Sequence, residues 1–311
     1  MSTIAIIGEL NLDLIVTGAE RMPRPGEELL VEGMLLTLGS SSAITACQLA
    51  ALGDDILFIS KVGGDEFGRR ALDFLRQKGV STEAVAVDES MKTGLTISIA
   101  IGSERAQMMT MGCIQAMRLA DVDFERLRGR QHLHISSFYL QRNLRPDIGR
   151  IFQQAKEMGL TTSLDTGWPH EGESIRDADA VWPHLDVFLP NDLEAMRLTG
   201  EKEPARALKA LARKVPTVVM KTGPRGAEVR QGDKHVKRAG FEIDVIDTTG
   251  AGDSFNGGFL HGWLAGMDLT DCLDLGNACG ALSIRAPGGT TSQATMAEAT
   301  EFIQTTPRRS T

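Results

Sequence analysis

Short apolar runs alternate with segments of helical periodicity over most of this chain. Contiguous or alternating apolar residues predict strands, and apolar residues that recur every three to four positions predict helices. From residue 130 onward strand and helix follow each other in turn, which is typical of a parallel sheet covered by helices. The predicted strands are 4–8, 57–62, 93–101, 132–136, 161–165, 187–189, 217–221 and 241–246, and the predicted helices are 44–52, 69–78, 146–158, 194–198 and 205–214. The pattern predicts an α/β fold of three layers with a mainly parallel central sheet.

A region near the N-terminus departs from this alternation. Residues 93–101 place apolar residues on one face and small polar residues on the other, as in a sheet that buries one face and turns the other to water or ligand. We expect a small β lid formed by approximately 14–37 and 91–111 within a single domain of residues 1–311; a plain edge hairpin is the alternative. An exposed apolar lid face would favour a homodimer through the lid. The methionine-rich run 108–113 is interpreted as core filler.

Composition and charge narrow the class of protein. The chain has 311 residues and a net charge of −8, which argues against a nucleic-acid groove. It contains no apolar stretch long enough to span a membrane, and its start lacks a basic signal-peptide region. Four cysteines without CxxC spacing are typical of a reducing cytoplasm, so we expect a cytoplasmic protein. A polar tail, 305–311, is expected to be frayed.

The most informative segment is 247–259, which reads DTTGAGDSFNGGF. It lies between a predicted strand and a helical pattern, where Gly250 and Gly252 allow a tight turn. The first amides of the following helix have no partner within it and form a site suited to a phosphate. Asp253 beside such a site could accept the proton of an attacking alcohol. The alternative is a glycine-rich turn with Asp253 as an ordinary helix cap.

This segment resembles the C-terminal signature of the ribokinase family of carbohydrate kinases, also called the phosphofructokinase-B type. The resemblance runs through nearly the whole chain and implies a ribokinase-like α/β/α domain that uses ATP and Mg²⁺. In the family, the residue that matches Asp253 is the catalytic base. Those that match Gly250, Ala251 and Gly252 form the anion hole for the transferred phosphoryl group.

Family elements that bind the sugar are also represented. Asn11 and Asp13 match an Asn-x-Asp element whose aspartate holds substrate hydroxyls, although the residues alone also allow an Asx-turn at Asp13. Gly39, Ser40 and Ile44 stand where the family has Gly-Gly-x-x-x-Asn. The serine either contacts substrate or caps the next helix. Because isoleucine cannot make the hydrogen bonds of asparagine, ribose itself is disfavoured as the substrate.

Two further positions bear on the substrate. Ile114 replaces a second asparagine that many relatives have. Asp165 ends a predicted strand at the edge where open α/β sheets bind ligands, and is assigned to the substrate site. Trp168 follows it and could stack on a sugar ring, but a core position is favoured.

The nucleotide and metal sites follow from the resemblance. Asn191 and Glu194 match an Asn-x-x-Glu element that orders Mg²⁺ through water, and Asn191 could also cap a helix. Lys221 either reaches a phosphate or is a solvated strand-end lysine. The nucleotide-binding residues are predicted to be Asn191, Lys221, Thr222, Gly223, Gly226 and Asn277. A monovalent cation site, for K⁺, is predicted at Asp247, Thr249, Ser283, Ala286, Gly288 and Ser292.

These observations predict an ATP-dependent kinase that acts on a hydroxyl of a sugar or related polyol. A nucleoside kinase of the same family is the first alternative, because the resemblance includes members that phosphorylate adenosine and related nucleosides. The lone Tyr139 and the few aromatic residues count against a nucleobase site, although Phe138 and Trp168 keep one open. A non-catalytic sugar-binding protein on this scaffold is the second. The absence of a P-loop means that ATP is held in another way, and the absence of a complete GxGxxG argues against a dinucleotide dehydrogenase.

Overall fold

The computed structural model describes residues 1–101, 104–168 and 178–310, without the side chains of 104 and 105. The strands are β1 Thr3–Ile7, β2 Asn11–Ala19, β3 Gly33–Leu38, β4 Asp55–Gly63, β5 Ser81–Asp88, β6 Gly94–Ile101, β7 Glu104–Thr110, β8 His132–Ile135, β9 Thr161–Leu164, β10 Val187–Phe188, β11 Thr217–Lys221, β12 Ala227–Gln231 and β13 Lys234–Arg238. The α-helices are α1 Ser41–Ala51, α2 Glu66–Gln77, α3 Ile148–Glu157, α4 Asp192–Thr199, α5 Pro204–Leu211, α6 Ala251–Leu264, α7 Leu269–Ser283 and α8 Met296–Thr305.

Nine strands form the main sheet, in the order β13-β12-β11-β10-β9-β8-β1-β4-β5. All neighbouring pairs are parallel except β11–β12 and β12–β13, which are antiparallel. From β1 the chain first adds β4 and β5 on one side of this strand. It then returns to the other side of β1 with β8 and adds β9 to β13 outward from there. In such sheets ligands bind beyond the carboxyl ends of the strands, near the point where the direction of winding changes. The structure therefore directs attention to the segments that follow β1, β8 and β9.

Both faces of the main sheet are buried under helices. Along β1, Ala5 and Ile7 join one hydrophobic core, and Ile4 and Ile6 join the other. Side chains of α3, α4 and α5 complete the first core, and those of α1, α2, α6 and α7 contribute to the second. Since successive residues of a strand point to opposite faces, this division is what a sheet between two helical layers requires. The predicted three-layer α/β class is confirmed.

A second, smaller sheet has the order β3-β2-β6-β7. Asp13 lies within β2 and pairs with Thr37 of β3 and Thr96 of β6, so the Asx-turn alternative is wrong. The opposite face carries apolar side chains that remain exposed, among them Met34 at 67% and Met108 at 59%. The interpretation of the methionine-rich run as core filler is therefore wrong at Met108, because its side chain is more than half exposed, whereas Leu12 and Leu38 of the same face are buried in the second core.

Two expectations about the C-terminal part are wrong. Residues 241–246 do not form a strand, and within them only Phe241 makes a bridge, with Arg308. The apolar alternation arises because Ile243 and Val245 line a cleft instead of a sheet face. The tail is not frayed, since the amide of Glu242 donates to the carbonyl of Pro307 at 3.0 Å. Thr311 lies outside the described residues.

The described helices include none that is both long and apolar enough to cross a membrane.

Candidate active site

Helix α6 begins at the segment that the sequence singled out. Its N-cap is Gly250, in the left-handed region with φ 73°, and no side chain caps the first turn. A Cβ at this position would lie 2.8 Å from the Cα of Gly289, so both the backbone conformation and the space demand glycine. Because Asp253 lies in the first turn and accepts none of its amides as a cap, the helix-cap alternative for this residue is wrong.

Asp253 is partly buried where α6 meets α1. Its Oδ1 accepts a 2.5 Å hydrogen bond from the Ser41 hydroxyl, and its carbonyl accepts one of 3.2 Å from Thr45. Burial raises the pKa of the carboxyl to about 6, and the nearby charges of Asp165 and Glu9 act in the same direction. The Ser41 hydrogen bond and the charge of Lys221 oppose this rise. A carboxyl with this pKa is ionised at neutral pH and can accept a proton.

A buried ion pair lies beside the base. Lys221 Nζ is 2.6 Å from Asp165 Oδ2 and donates to Asn256 Oδ1 at 3.0 Å. Asn256 Nδ2 donates to the same Asp165 oxygen at 2.6 Å, which closes the triangle. Burial acts to raise the pKa of Asp165, but the charge and hydrogen bond of Lys221 hold it below its usual value. The solvated-lysine alternative for Lys221 is therefore wrong.

Sequence reasoning did not select Asn256 as a site residue. The signal was its spacing, because it lies three positions after Asp253 and so on the same face of α6.

The predicted sugar-binding residues of the N-terminal part come together. Asn11 Nδ2 donates to Asp13 Oδ1 at 3.1 Å and to Thr96 Oγ1 at 3.4 Å. A Cβ on Gly39 would lie 2.2 Å from Asp13 Oδ1 and 2.5 Å from Asn11 Nδ2, so only glycine leaves room for this pair. The result is a cluster of amide, carboxylate and hydroxyl groups that can bind neighbouring hydroxyls of a polyol.

Ser40 and Ile44 show how the altered family element is used. Ser40, at φ 71°, accepts the amide of Ala43 at 3.0 Å and donates to the carbonyl of Glu9 at 2.5 Å. Its hydroxyl is thus the cap of α1. The side chain of Ile44 is buried and packs against the backbone of Gly250 and Gly289. The isoleucine therefore supports the glycine turn of α6, where an asparagine would present a polar amide.

Glu9 is a second buried carboxyl that sequence reasoning missed. It follows β1 and accepts hydrogen bonds from the hydroxyls of Ser42 at 2.7 Å and Ser137 at 2.9 Å. Burial raises its pKa despite these donors. Its position directly after the first strand was the available signal, since that is the ligand edge of the sheet.

The aromatic candidates also differ from expectation. Trp168 was assigned to the core but is 50% exposed, with the guanidinium of Arg197 5.4 Å from its ring centroid. Phe138, one of the two residues that kept a nucleobase site open, is fully buried and packs edge-on against Tyr139. Ile114, which replaces a family asparagine, is buried and packs against Gly94.

A cleft of about 300 Å³ opens on the other side of the α6 N-terminus. Four of the predicted nucleotide-binding residues line it, namely Lys221, Gly223, Gly226 and Asn277. Thr222 is buried beside it and donates to the carbonyl of Gly226 at 2.9 Å, whereas Asn191 does not line it. Asn277 Nδ2 is buried without a hydrogen-bond partner. Such a donor is costly unless a ligand supplies an acceptor, and a purine base would do so.

The C-terminal tail closes one end of this cleft. Arg309 lines it, and its amide and Nε donate to the carbonyls of Gly240 at 2.9 Å and Phe241 at 3.1 Å. The guanidinium of Arg308 lies 4.4 Å from the ring centroid of Phe241. Nothing in the sequence pattern of the tail indicated this contact, which depends on pairing across nearly 70 residues.

Asn191 and Glu194 form the cap of α4. Asn191 Oδ1 accepts the amide of Glu194 at 2.8 Å, and Glu194 Oε2 accepts the amide of Asn191 at 2.8 Å. Burial raises the pKa of Glu194 to about 7, with a further contribution from Asp165. The described residues contain no group of three or more His, Cys, Asp or Glu that could hold a metal ion. One carboxylate that acts through water beside phosphates is the arrangement that suits Mg²⁺.

The residues of the predicted cation site lie in two loops that Asp247 connects, except Ser283, which is the last residue of α7. Its Oδ1 accepts the amide of Thr249 at 2.9 Å and its hydroxyl at 2.7 Å, and its Oδ2 accepts the amide of Gly288 at 2.9 Å. Ser292 donates to the carbonyl of Ser283 at 3.1 Å. Ala286 belongs to the same turn region. The loops are thus held together by hydrogen bonds, and cation binding there stays a prediction.

Fold and site together suit a phosphotransferase of the α/β class, with a partly buried carboxylate in the first turn of a helix whose residues Ala251 and Gly252 line a cleft. Comparison with known families agrees, because the model of the pfkB family carbohydrate kinases matches residues 1–296. The chain belongs to this family. The interpretation as an ATP-dependent carbohydrate kinase, a phosphotransferase with an alcohol acceptor, is confirmed at the level of family and reaction class.

Individual relatives support the same class. The chain is 31% identical over 290 residues to an ATP-dependent ribose-1-phosphate kinase of Halopiger xanaduensis, which covers 93% of this chain and 94% of that protein. It is 27% identical over 312 residues to the ribokinase of Haemophilus influenzae, at 97% and 98% coverage. The ribokinase of Arabidopsis thaliana, solved with ribose and ATP, has the same fold, with a TM-score of 0.84, 22% identity and coverage of 98% and 99%.

Proposed function

We propose that this protein transfers the γ-phosphoryl group of Mg·ATP to a hydroxyl of a small sugar or related polyol. One observation carries the proposal: Asp253, whose pKa desolvation raises to about 6, lies in the uncapped first turn of α6. Its neighbours Ala251 and Gly252 line the cleft that Asn277 also lines, and its carboxyl accepts a hydrogen bond from Ser41, two residues after Gly39. A base, an anion site and two binding sites are the parts that phosphoryl transfer to an alcohol requires.

In the proposed step Asp253 accepts the proton of the sugar hydroxyl as its oxygen attacks the γ-phosphorus. The new P–O bond forms while the bond to the leaving ADP oxygen breaks. The amides of Gly250, Ala251 and Gly252 donate to the charge that develops on the phosphoryl oxygens, which is the largest contribution of this kind of site. The turn at Gly250, with φ 73°, would orient these amides toward the phosphoryl group.

Lys221, Thr222, Gly223, Gly226, Asn191 and Asn277 are proposed to bind the nucleotide. Lys221 supplies positive charge beside the anion site, and the Asp165–Asn256 pair holds its ammonium in place. Asp165 itself is proposed to meet the substrate, as its place at the end of β9 suggests. Ser40 stays a proposed substrate contact through its backbone, since its hydroxyl caps α1.

Two cations belong to the proposal. Glu194 would hold Mg²⁺ through water, and the metal would neutralise phosphate charge during transfer. A K⁺ ion would be held by Asp247, Thr249, Ser283, Ala286, Gly288 and Ser292. The Asp247 bonds that join the two loops support this, because they already bring the proposed ligands together.

The substrate class proposed is a sugar or related polyol. The named relatives are a ribose-1-phosphate kinase and ribokinases, so acceptors in the family include a sugar phosphate. The replacement of two family asparagines by Ile44 and Ile114 fits an acceptor site that differs from that of a ribokinase. The burial of Phe138 counts against a nucleoside, and the intact Asp253 site counts against a non-catalytic protein.

We further propose a cytoplasmic enzyme without nucleic-acid partners, in which the β2–β3–β6–β7 sheet is a lid. The apolar face with Met34 and Met108 supports a homodimer through this lid, because a second copy would cover it.

The test is an ADP-release assay with Mg·ATP over neutral hexoses, pentoses, acid sugars, sugar phosphates and nucleosides. We expect release above the ATP-only background for at least one sugar of this panel, with the phosphorylated product identified by mass. Tris or choline in place of K⁺ tests the activator. Binding of sugars by calorimetry without any ADP release would establish a binding protein and contradict the proposal.

A further inference from the structure

The first turn of α1 is directed at the backbone and side chain of Asp253. Ser41 donates to the carboxyl through its hydroxyl at 2.5 Å. Thr45, four positions later and so on the same helix face, donates to the carbonyl of the same residue at 3.2 Å. Two hydrogen bonds from neighbouring helix turns therefore define where the carboxyl lies and which way it is turned.

The Ser41 hydroxyl is not explained by the needs of α1 itself. Ser40 already caps this helix through the amide of Ala43, and Glu9 accepts the amide and the hydroxyl of Ser42. A serine at the first helical position without a capping role is neutral for the helix. Its hydrogen bond to a partly buried carboxylate is charge-assisted, and such bonds are the strong ones.

The geometry also distinguishes the two oxygens of the base. Ser41 donates to Oδ1, and a carboxylate that accepts a proton in phosphoryl transfer needs one oxygen directed at the acceptor hydroxyl. With Oδ1 held on α1, Oδ2 is the oxygen left to face the substrate.

We propose that Ser41 is a positioning residue for the catalytic base: its hydroxyl holds Oδ1 of Asp253 so that Oδ2 receives the proton of the sugar. This rests on the proposed kinase function and adds a residue to its machinery. Ser41 remains bound to Oδ1 while substrate is present, since the two donors use different oxygens.

The charged groups near Asp253 determine in which direction its pKa changes when the Ser41 hydrogen bond is lost. Asp165 after β9 and Glu9 after β1 act to raise its pKa, and Lys221 at the end of β11 acts to lower it. Glu194 of α4 is close enough for Asp253 to raise the pKa of that residue too. The Ser41 hydrogen bond lowers the pKa of Asp253, so its loss leaves the raising influences less opposed. The base of a Ser41→Ala variant should therefore lose its proton only at higher pH.

The experiment compares pH profiles of kcat and kcat/KM for the native protein, Ser41→Ala and Ser41→Thr. In Ser41→Ala we expect the acidic limbs of both profiles to move up by on the order of one pH unit, and kcat at pH 7 to fall roughly tenfold. The KM for the sugar should change less than about threefold. Ser41→Thr keeps the hydroxyl and should keep the native limbs.

Ser90→Ala is the matched control. Ser90 donates to Asp88 at 2.6 Å on the surface, so this change removes the same kind of bond away from the cleft and should leave both profiles unmoved. Circular dichroism and thermal unfolding establish that each variant is folded, and Ser41→Thr carries the test if Ser41→Ala does not fold.

Three results would overturn the role of Ser41. If the acidic limbs of the pH profiles do not move in Ser41→Ala and the KM for the sugar rises, Ser41 is a substrate contact. A shift confined to kcat/KM would show that the acceptor displaces it, and no change at all would leave it without a role. If no sugar is phosphorylated, the kinase proposal fails separately. In that event the ¹³C NMR titration of Asp253 in native protein and Ser41→Ala still decides whether the hydrogen bond lowers the pKa.

Discussion

Two helices begin within hydrogen-bonding distance of each other, and they treat their free amides in opposite ways. In the first turn of α1, Ser40 accepts the amide of Ala43 and Glu9 accepts that of Ser42. At the start of α6, Gly250 is the N-cap and no side chain caps the first turn. Both helices have the same unsatisfied donors by geometry, but side chains accept them only in α1. In α6 the amide of Ala251 donates at 3.3 Å to the carbonyl of Thr248, and no side chain accepts the amides of the first turn.

The role of an acidic residue near the start of a helix therefore cannot be inferred from its residue type alone. Glu9 serves α1 as a buried acceptor for the first turn and for Ser137. Asp253 lies in the first turn of α6 and is itself held by Ser41, with an oxygen left for chemistry. The hydrogen-bond donors around a carboxylate determine whether it caps the first amides of the helix or lies beside them as a base.

The largest effect is expected from Asp253→Asn, which removes the proposed base from the first turn of α6. The amide keeps the shape but cannot accept the proton, so we expect kcat to fall on the order of 10²- to 10⁴-fold, with the affinity for ATP within about threefold. Steady-state kinetics and calorimetry measure the two quantities. Asp73→Asn on the exposed face of α2 is the control, and near-native kcat in Asp253→Asn would refute the role of the base.

Gly250→Ala tests the uncapped turn. The new methyl would lie 2.8 Å from Gly289 in a backbone conformation at φ 73°. We expect a loss of roughly 10- to 100-fold in kcat, because the anion-binding amides shift.

Gly266→Ala separates the two causes. Gly266 has φ 75° with nothing within 4 Å of a Cβ, so alanine there adds backbone strain of about 1–2 kcal/mol without a clash. Thermal unfolding and kinetics of both variants are compared. Equal losses of kcat would contradict a special role for the α6 turn.

The pH dependence is the next effect in size. Asp253 must be ionised to act, and burial raises its pKa to about 6. Below that pH the base is protonated in the free enzyme, so kcat/KM should fall about tenfold for each further pH unit. Initial rates between pH 4.5 and 8 measure this. If the acidic limb of the kcat/KM profile lies near the ordinary pKa of an exposed aspartate, desolvation does not raise the pKa of Asp253.

Glu9→Gln tests the carboxylate that accepts hydrogen bonds from the first turn of α1. Glutamine keeps one acceptor but loses the charge and one carboxylate oxygen, so we expect a loss of stability of about 1–3 kcal/mol by chemical unfolding. Because Glu9 raises the pKa of Asp253, the acidic limb should move slightly down and kcat should change only a few-fold. A loss of kcat as large as in Asp253→Asn would mean that the two carboxyls do not have separate roles.

Much of the fold followed from local patterns that the chain repeats. The strand–helix alternation, the cap at Ser40 and the Gly250–Asp253 turn were all predicted, because each depends on neighbours in sequence. The contacts that sequence reasoning missed join distant segments. Lys221 and Asp165 are 56 residues apart, and their pairing depends on how β9 and β11 are ordered in the sheet.

Local pattern also misled in two places. Residues 241–246 alternate because Ile243 and Val245 line the cleft beside α6, and a cleft wall produces the same period as a half-buried strand. Trp168 follows a buried strand, yet Arg197 covers its ring at the surface. Periodicity reports that one side of a segment is apolar, but it does not report what covers that side.

The position of Arg309 at the cleft beside α6 has a practical consequence for protein production. An affinity tag fused after residue 311 would start three positions beyond this side chain and would be tethered next to the proposed nucleotide site at high local concentration. Met1, by contrast, is almost fully exposed at the amino end of β1, the opposite edge of the sheet. Purification handles belong there, and kinetic constants from C-terminally tagged material will differ from those of the untagged enzyme.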